Sequence, residues 1–437
     1  MFQPVSTQQD LIAQERDVLA FWQRSGAFER LRTLRANAAH RFSFLDGPIT
    51  ANNPMGVHHA WGRTYKDVWQ RYQAMLGKDE RWQNGFDCQG LWVEVNVERE
   101  LGYKSKRDIE AFGMQRFINL CKQRVLNSAA QITEQSQRLG NWMDWNDAGE
   151  LRMLAQKIVE SPEEHITLER NGSDGKREIH GTVEQLVGQL GGPELGGSYF
   201  TFSDENNYQI WGFLKKCHEN GWIYRGTDVI PWCPRCATGI SQHEIDTEGY
   251  KDRTDTTVVA RLKLDTCFVP DASWHSPESS DLFRAAPDKY LLVWTTTPWT
   301  LPANVLAAVG LKLRYAIVKQ DDAVYFLSTG TLSNLKGAYV LLGEVTGADM
   351  LGWTYFGLFD GLPAWQDALR ERNERHTGEP EFRHHVIEWD EVGEAEGTGI
   401  VHIAPGCGPE DYHLGKKIDA PSVAPLNEDG NYLDGYG

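Results

Sequence analysis

The segment Asp46–Arg63 places two adjacent histidines, His58 and His59, directly after a loop that carries glycine and proline. The apolar run Phe42–Leu45 before the loop predicts a buried strand. After the loop, apolar residues spaced by three and four predict an amphipathic helix that ends at Gly77. The start of such a helix offers unpaired N–H groups and a positive dipole end, and imidazoles add donors for phosphate oxygens. The pattern predicts a nucleotide-phosphate site, although an ordinary strand-to-helix turn with surface histidines has the same spacing. The apolar helix residues are Trp61, Tyr65, Val68, Tyr72 and Leu76.

Two stretches together, Gly47–Ala60 and Asn84–Leu91, resemble the first half of the active site of class I aminoacyl-tRNA synthetases. In that family the first loop holds the substrate ATP together with Mg²⁺, and its histidines act in catalysis. The resemblance therefore implies an ATP site and assigns His58 and His59 a catalytic role as well. The residues it implies for ATP are Gly47, Pro48, Asn52, Gly56, His58 and His59.

The second stretch implies an amino-acid site. Asp87 matches the family carboxylate that binds the α-ammonium group, and a carboxylate is the partner which such a cation needs in a partly desolvated pocket. Pro48 matches the loop proline that lines the pocket, and Gln89 is assigned to it with Asp87. The stretch Lys104–Glu110 resembles the isoleucyl branch of the family. By itself it is a helix start, with Ser105 as N-cap and Asp108 in a capping box.

One departure from the family pattern concerns the helix start. The family signature is His-x-Gly-His, whereas this chain has Gly56-Val57-His58-His59. The family glycine lets adenine approach the backbone, so His58 puts the usual nucleotide pose in doubt. A compensating interpretation is that His58 makes the phosphate contact of the missing first histidine.

Composition and charge limit the class of protein. The chain has 437 residues, of which 41% are hydrophobic and 24% charged, as in a globular protein of two to three domains. No apolar run is long enough for a membrane span, and the amino terminus lacks a signal-peptide pattern, so we expect a cytoplasmic protein. We also expect the protein to be a monomer. A net charge of −17 argues against bulk binding of nucleic acid but leaves room for tRNA held by local basic patches.

The order of patterns predicts four regions. Residues 1–147 predict an N-terminal helix and the first half of a Rossmann-like α/β sheet, including a long helix from Met114 to Leu139. Residues 148–197, with a hairpin around Asn171–Gly175, read as an unassigned insertion, expected on the surface with little effect on the host core. A connector at 198–251 follows, and 252–437 predict short alternating strands and a small β-barrel, whose end falls between 425 and 437.

The connector contains Cys233-Pro-Arg-Cys236, two thiolates at the spacing of a zinc knuckle. A structural zinc site needs four ligands, and the sequence has no second Cys-x-x-Cys; His218 and His243 have poor spacing. The family resemblance implies that the partner cysteines of Cys233 and Cys236 lie beyond Gly437, which makes this a Zn²⁺ half-site. Two unligated thiols on a turn are the alternative.

Two motifs in the strand-rich region resemble the editing domain of isoleucyl-, valyl- and leucyl-tRNA synthetases, which hydrolyses mischarged aminoacyl-tRNA. They are Trp294–Asn304 and Gly397–Tyr412, although threonine runs are usually strand residues and glycine-rich turns usually only turns. The resemblance implies that Asp411 binds the α-ammonium group and that His402 limits the pocket. It assigns the ester and terminal adenosine to Thr295, Thr296, Thr297 and Asn304.

These motifs occur in family order and cover the chain apart from 148–197. We therefore expect part of an isoleucine-specific class I synthetase, whose partners are tRNA-Ile, isoleucine and ATP. No lysine-rich Lys-Met-Ser-Lys-Ser-like loop occurs in the sequence, so we expect this chain to be inactive in aminoacylation. The alternatives are part of a valyl-tRNA synthetase, a free-standing deacylase that acts in trans, and a non-enzymatic RNA-binding or regulatory protein. The ATP loop argues against the second of these, and the polar editing pocket argues against the third.

Overall fold

The chain divides into two compact units, Met1–Arg225 and Gly226–Gly437. The computed structural model describes residues 8–172, 175–242, 245, 252, 254–265, 272–375 and 381–436. No helix in these ranges is long and apolar enough to cross a bilayer.

The first unit is an α/β fold with parallel strands. Strand β1 pairs with β3, and β4 lies between β2 and β7, in each case parallel. This is the strand arrangement that the βαβ pattern predicts. The strands β1 to β7 are Arg41–Leu45, Ile49–Thr50, Asp79–Gln83, Gly85–Asp87, His165–Gly172, Gly175–Thr182 and Tyr199–Phe200. The helices α1 to α9 are Leu11–Ser25, Ala27–Arg35, Val57–Met75, Leu91–Leu101, Lys106–Phe112, Met114–Arg138, Ala148–Glu160, Val183–Gly188 and Asp204–Glu219.

Several local signals end or begin these helices as predicted. Helix α3 stops before Gly77, whose φ is +88°, and Asp108 accepts a hydrogen bond from the Ser105 N–H at 3.0 Å in the predicted capping box. The helix expected from residue 1 to 26 begins at Leu11, where the Asp10 carboxylate caps Ala13 N–H at 3.0 Å.

Helix α3 buries its polar face and exposes its apolar face, the reverse of what its amphipathic pattern predicts. Its apolar stripe is exposed, by 63% at Trp61 and 65% at Tyr65, whereas Arg63 and Gln70 are 2% and 3% exposed. The expectation of a buried β1 is wrong for the same region, since Leu45 is 61% exposed. Periodicity correctly finds one apolar face, but it does not determine which face another element covers.

The 148–197 segment is part of the core of the first unit. Helix α7 packs along α6, and β5 and β6 form the predicted antiparallel hairpin. Leu151, Leu154 and Ile158 are fully buried in one cluster with Phe86 and Leu126. The expectation of a surface insertion with little effect on the host core is therefore wrong. The apolar residues of α7 cover apolar side chains of α6 that would otherwise be exposed to water.

The second unit contains a ten-stranded mixed sheet and a separate hairpin, β8 with β9. The sheet order is β11-β16-β14-β15-β12-β19-β13-β18, with β10 joining β12 and β17. Strands β8 to β19 are Trp232–Cys233, Thr238–Gly239, Val258–Leu264, Ser273–Trp274, Asp288–Thr295, Leu306–Val309, Arg314–Gln320, Ala323–Ser328, Val340–Thr346, Tyr355–Phe356, Val386–Glu388 and Val401–Ile403. Among the described residues of this unit, the α-helices are Pro277–Ala285, Gly347–Met350, Pro363–Arg375 and Pro409–Lys417, and 3₁₀ turns span Pro298–Ala303 and Thr329–Asn334.

This sheet confirms the predicted short strands. Phe326, Leu291 and Ile317 form part of a buried core on it, and Tyr315 is buried there with its hydroxyl donating to the Gly399 carbonyl at 3.0 Å. The described strands form an open path rather than a closed ring, so closure into a barrel stays a prediction.

Candidate functional site

The carboxyl ends of β2, β4 and β7 bring a group of polar side chains together around Asp87. Thr50 Oγ1 lies 3.3 Å from one carboxylate oxygen of Asp87, and Thr201 Oγ1 lies 3.4 Å from the other. Gln89 Nε2 donates to the Thr201 carbonyl at 3.0 Å. Ligands bind at this edge of open parallel sheets. Thr201, which sequence reasoning missed, therefore orients the predicted carboxylate and anchors the predicted glutamine.

The loop between β2 and α3 is held by contacts with other helices. Arg124 Nη2 donates to the Asn52 carbonyl at 2.8 Å, and Asn52 Nδ2 contacts the Trp92 carbonyl at 3.5 Å. Asn52 lines a cavity of about 380 Å³ with Arg124. Gly47 and Pro48 lie exposed in the preceding loop. These contacts hold the backbone of the loop in one position, and its exposed residues remain accessible to a ligand.

His58 and His59 lie side by side on the first turn of α3, with ring centroids 3.8 Å apart. The Gly56 N–H donates to Nδ1 of His59 at 3.2 Å, which leaves Nε2 of that ring as the proton-bearing nitrogen when it is neutral. Burial, His58 and Arg63 lower the pKa of His59. A Cβ on Gly56 would lie 2.9 Å from Cε1 of His58, so the His58 ring lies where a side chain at position 56 would begin.

A buried polar network fixes α3 to the sheet and to α6. Arg63 hydrogen-bonds Asn84 and Ser136 and lies 3.6 Å from the Asp46 carboxylate. Lys66 bonds the same carboxylate. A buried guanidinium needs such a set of partners, because an unpaired one carries a large desolvation cost. The network holds the start of α3, with its histidines, at the end of β1.

A cavity of about 330 Å³ in the second unit brings together five of the residues predicted for editing. They are Thr295, Thr296, Thr297, His402 and Asp411. Sequence reasoning assigned no role to several further residues of this cavity: Thr300, Thr398 and Cys407 lie within the two motifs, and Trp389, Glu391 and Glu396 lie shortly before the second motif.

Burial in this cavity shifts the pKa values of Asp411 and His402 in opposite directions. Asp411 accepts a hydrogen bond from the Ala404 N–H at 2.8 Å, while burial, and secondarily Glu410, raise the pKa of its carboxyl. Burial lowers the pKa of His402 to about 4, so its ring is neutral near pH 7. The cavity therefore offers acidic groups to a cation and a neutral, 7% exposed ring as a wall.

Asn304 does not line this cavity, in contrast to its predicted role. It is 5% exposed, its amide donates to the Leu306 carbonyl at 3.0 Å, and it accepts from the Tyr355 hydroxyl at 2.9 Å. Both ends of the amide are therefore used to join neighbouring strands. The motif position was found, but its side chain points into the fold.

Cys233 and Cys236 lie on the β8–β9 hairpin, as a zinc knuckle requires. Burial, followed by weaker effects of neighbours, raises the pKa of Cys236, whose sulfur accepts from Arg235 at 3.6 Å. Within the described ranges no third histidine, cysteine or carboxylate completes a metal-binding group. His243 lies outside the described residues. Two thiols do not fit a tetrahedral zinc site by themselves.

Comparison with known proteins decides the family. The model of class I tRNA synthetases for isoleucine, leucine, methionine and valine (I, L, M and V) matches residues 17–166 and 173–386. The chain belongs to the class I tRNA synthetases. The isoleucine–tRNA ligase of Methanothrix thermoacetophila is 32% identical over 434 residues, which cover 97% of this chain and 33% of that protein. The isoleucine–tRNA ligase of Dehalococcoides mccartyi (strain ATCC BAA-2266) is 32% identical over 448 residues, with 100% and 38% covered.

This synthetase chain therefore spans about a third of the length of the curated relatives that it matches. Among solved structures, GlLeuRS-CP1 aligns with 37% of the chain at 21% identity and a TM-score of 0.28. The Plasmodium knowlesi cytosolic leucyl-tRNA synthetase editing domain aligns with 37% at 14% identity and a TM-score of 0.27. Scores this low carry no argument, so the fold of the second unit rests on the sheet order given above.

Proposed function

We propose that this chain is the nucleotide-binding and editing portion of an isoleucine–tRNA ligase. Its ATP loop and Asp87 would take part in isoleucine activation, and its second unit would hydrolyse valyl-tRNA-Ile. The observation that carries the proposal is the cavity shared by Thr295–Thr297, His402 and Asp411. The proposed partners are tRNA-Ile, isoleucine and ATP, with action in the cytoplasm as a monomer.

Asp411 is the proposed anchor for the α-ammonium group of the misacylated residue. Its Oδ2 is held by the Ala404 N–H, which fixes the direction of the carboxylate. Glu391 and Glu396 also line the cavity and favour a cation there. Charge-assisted bonds of this kind are about twice as strong as neutral ones and orient the ester for attack by water.

The threonine run is the proposed water and ester contact. The Thr297 N–H donates to Thr295 Oγ1 at 3.0 Å, and the two hydroxyl oxygens lie 3.3 Å apart. The backbone therefore fixes the Thr295 oxygen, while hydroxyl protons of the run remain available to the ester carbonyl or to water. No nucleophilic side chain is required, since water attacks the acyl carbon and the tRNA hydroxyl leaves.

His402 is the proposed size filter. Its neutral ring is buried and hydrogen-bonded through Nε2, so it is a rigid wall rather than a mobile side chain. Editing is needed because one missing methylene changes binding by only ~1–3 kcal/mol, too little to exclude valine from an isoleucine site. A wall that admits valyl and rejects isoleucyl esters supplies the second selection.

For the first unit, the proposed nucleotide contacts are the α3 N–H groups, His58, His59 and the loop residues Gly47, Pro48, Asn52 and Gly56. His59 would donate through Nε2, because its Nδ1 already accepts from Gly56. Asp87, Gln89 and Pro48 would bind the amino acid. A valyl-tRNA synthetase has related motifs and is the second candidate; the Lys104–Glu110 stretch and the isoleucine ligases among the relatives favour isoleucine.

The test is deacylation of valyl- and isoleucyl-tRNA-Ile by the purified 437-residue chain. Slow but selective hydrolysis of the valyl ester is expected. Asp411→Asn should lower the rate by one to two orders of magnitude, since loss of a charge-assisted contact costs ~1.5–3 kcal/mol. Glu410→Gln, its exposed neighbour, is the matched control and should retain the rate at neutral pH.

His402→Ala should instead let the chain hydrolyse the isoleucyl ester. An Asp411→Asn variant that deacylates as fast as the unchanged chain would show that this cavity is not the hydrolytic site. Equal hydrolysis of valyl and isoleucyl esters by the unchanged chain would remove the isoleucine assignment.

A further inference from the structure

A second cavity, of about 390 Å³, lies in the first unit between α2, α3 and the beginning of β3. We name it the α2–α3 cavity; its lining includes Phe28, Arg35, Gln70, Met75, Glu80 and Trp82. None of the residues proposed for ATP or isoleucine lines it. Its volume is in the range of small-molecule sites.

Several buried polar groups around this cavity have no hydrogen-bond partner. Both amide atoms of Gln70, which is 3% exposed, are unpartnered, and so is the indole N–H of Trp82, which is 5% exposed. Nε of Arg35 and one oxygen of Glu80 share this state. Buried polar groups in folded proteins nearly always have partners, so these four groups hold hydrogen-bonding capacity that a bound ligand or ordered water would use.

The cavity is locally positive in an acidic chain. Five basic side chains line it against three acidic ones, although the chain as a whole carries −17. Arg71 is already paired with Asp67 at 2.6 Å, and Arg32 with Asp144. Arg35 forms no ion pair among the described residues, so its guanidinium can bind an anion; Arg81, which donates to the Gln83 side chain at 3.3 Å, also lines the cavity and adds positive charge.

The remaining walls are apolar and adaptable. Phe28 and Leu31 come from one face of α2, Ala74 and Met75 from α3, and the Trp82 indole from β3. Aromatic and thioether groups of this kind bind flat rings well. The cavity therefore combines a site for an anion, apolar walls, and donors and acceptors for hydrogen bonds. A ligand that fits this combination is a heteroaromatic ring that carries a negatively charged group.

We propose that the α2–α3 cavity binds a free purine mononucleotide at a second site, separate from the ATP loop. The carboxamide of Gln70 pairs with the donor–acceptor edge of the base, as carboxamides do with adenine. Trp82 donates to a ring nitrogen, and Arg35 binds the phosphate. This inference does not depend on the proposed function.

The test uses the full chain with ¹³C-labelled methionine methyl groups, observed by NMR during titration with AMP. The chain has seven methionines. Met75 lines the α2–α3 cavity, whereas Met55 lies in the ATP loop, where its N–H donates to Gln135 at 2.8 Å. Each resonance is assigned by a Met→Leu substitution. A shift of Met75 reports the second site, and a shift of Met55 reports the proposed ATP site.

We expect AMP to shift Met75 and to keep shifting it in His59→Ala. Arg35→Gln and Gln70→Leu should each weaken this response by about tenfold or more, as expected for loss of a hydrogen bond to a charged or buried group. Arg30→Gln, on an exposed position of α2, is the matched control and should leave it unchanged. Adenosine should bind more weakly than AMP by a similar factor, and inorganic phosphate should not shift Met75.

The inference is overturned if millimolar AMP does not shift the methyl resonance of Met75, whether or not the resonance of Met55 shifts. It is also overturned if phosphate alone reproduces the shift, which would indicate simple anion binding, or if Arg35→Gln and Gln70→Leu fold normally and retain the AMP affinity. A Met75 shift with a silent Met55 would support the second site and count against the proposed ATP loop.

Discussion

Thr300 Oγ1 lies 3.0 Å from Nε2 of His402, and this contact determines which nitrogen of the ring carries the proton. The Thr300 hydroxyl donates its single proton to the Thr297 carbonyl at 2.8 Å, so its oxygen accepts from the ring. His402 is therefore the Nε2–H tautomer. Its Nδ1 is buried without a partner, and burial lowers the pKa of the ring to about 4.

Thr300→Val should loosen His402 without removing the wall. We expect the ratio of valyl to isoleucyl ester hydrolysis to fall about three- to tenfold, because a neutral hydrogen bond contributes ~0.5–1.5 kcal/mol. Thr300→Ser keeps the hydroxyl and should restore the ratio. Single-turnover deacylation with both esters is the measurement. Loss of rate on both esters with an unchanged ratio would mean that Thr300 has no part in selection.

The hydrolytic rate should depend on pH through Asp411. The ammonium anchor works only as a carboxylate, so the rate rises as pH passes through the pKa of Asp411. Burial raises that pKa above the ordinary aspartate value, with Glu410 adding to the effect and the Ala404 N–H opposing it. The acid limb should therefore lie above that of a solvent-exposed aspartate. A pH–rate profile checks this.

The same profile offers an internal control. Glu410→Gln removes a charge that raises the pKa of Asp411, so its acid limb should move to lower pH while the plateau is unchanged. A shift to higher pH would contradict the assignment of the limb to Asp411.

Zinc should be held weakly by this chain. Cys233 and Cys236 supply two thiolates, and the described residues offer no third ligand beside them. Elemental analysis after brief dialysis against a chelator should find well below one zinc per chain. One zinc that survives the chelator and disappears in Cys233→Ser would contradict the half-site.

The first unit should lose stability as the pH rises through the pKa of the Glu80 carboxyl. Burial, and then Asp67, raise the pKa of the Glu80 carboxyl from 4.5 to about 7, against the opposing effect of Lys78. Between these two values the folded state binds more protons than the unfolded state, so its free energy of unfolding falls with increasing pH. Glu80→Gln should therefore raise the melting temperature at pH 8 and have little effect at pH 4. Glu110→Gln, exposed on α5, is the control variant, and a Glu80→Gln effect confined to acid pH would reverse the assigned sign.

Gly56 and His58 should be coupled. A side chain at position 56 would meet the His58 ring at 2.9 Å, so Gly56→His alone should displace that ring and destabilise the start of α3. His58→Gly should relieve the conflict in the double variant, which restores the family His-x-Gly-His order. Thermal melts of the two single variants and the double variant measure the coupling; additive effects would show that the two positions do not share this space.

Local patterns in the sequence predicted much of this fold. The long helix α6, the hairpin β5–β6 and the strands of the second unit each have strong periodicity or turn residues, and these elements formed as predicted. Thr295–Thr297, His402 and Asp411 lie within two short motifs, and the structure brings them to one cavity; their role in editing stays a prediction. Thr300 belongs to the same stretch, yet its role depends on a partner 102 residues away, which no local pattern shows.

Long-range packing accounts for what the sequence did not predict. The α7 stripe could have faced solvent or α6, and only the assembled unit shows that it completes the α6 core. Asn304 is similar: an amide in a polar motif reads as a site residue until Tyr355 and Leu306 are seen to use both of its ends.

The orientation of α3 reverses the usual map of mutational tolerance along a helix. Arg63, Gln70 and Gln73 are buried, while Trp61 and Tyr65 are mostly exposed. In this chain, polar replacements at Trp61 or Tyr65 remove the contact between these two rings, whose centroids are 5.9 Å apart, whereas apolar replacements at Arg63 break three polar contacts of the buried network. A ranking of substitutions by hydropathy alone would therefore predict the largest loss of stability at the exposed aromatic positions of this helix and the smallest at its buried polar positions, which is the reverse of what the packing indicates.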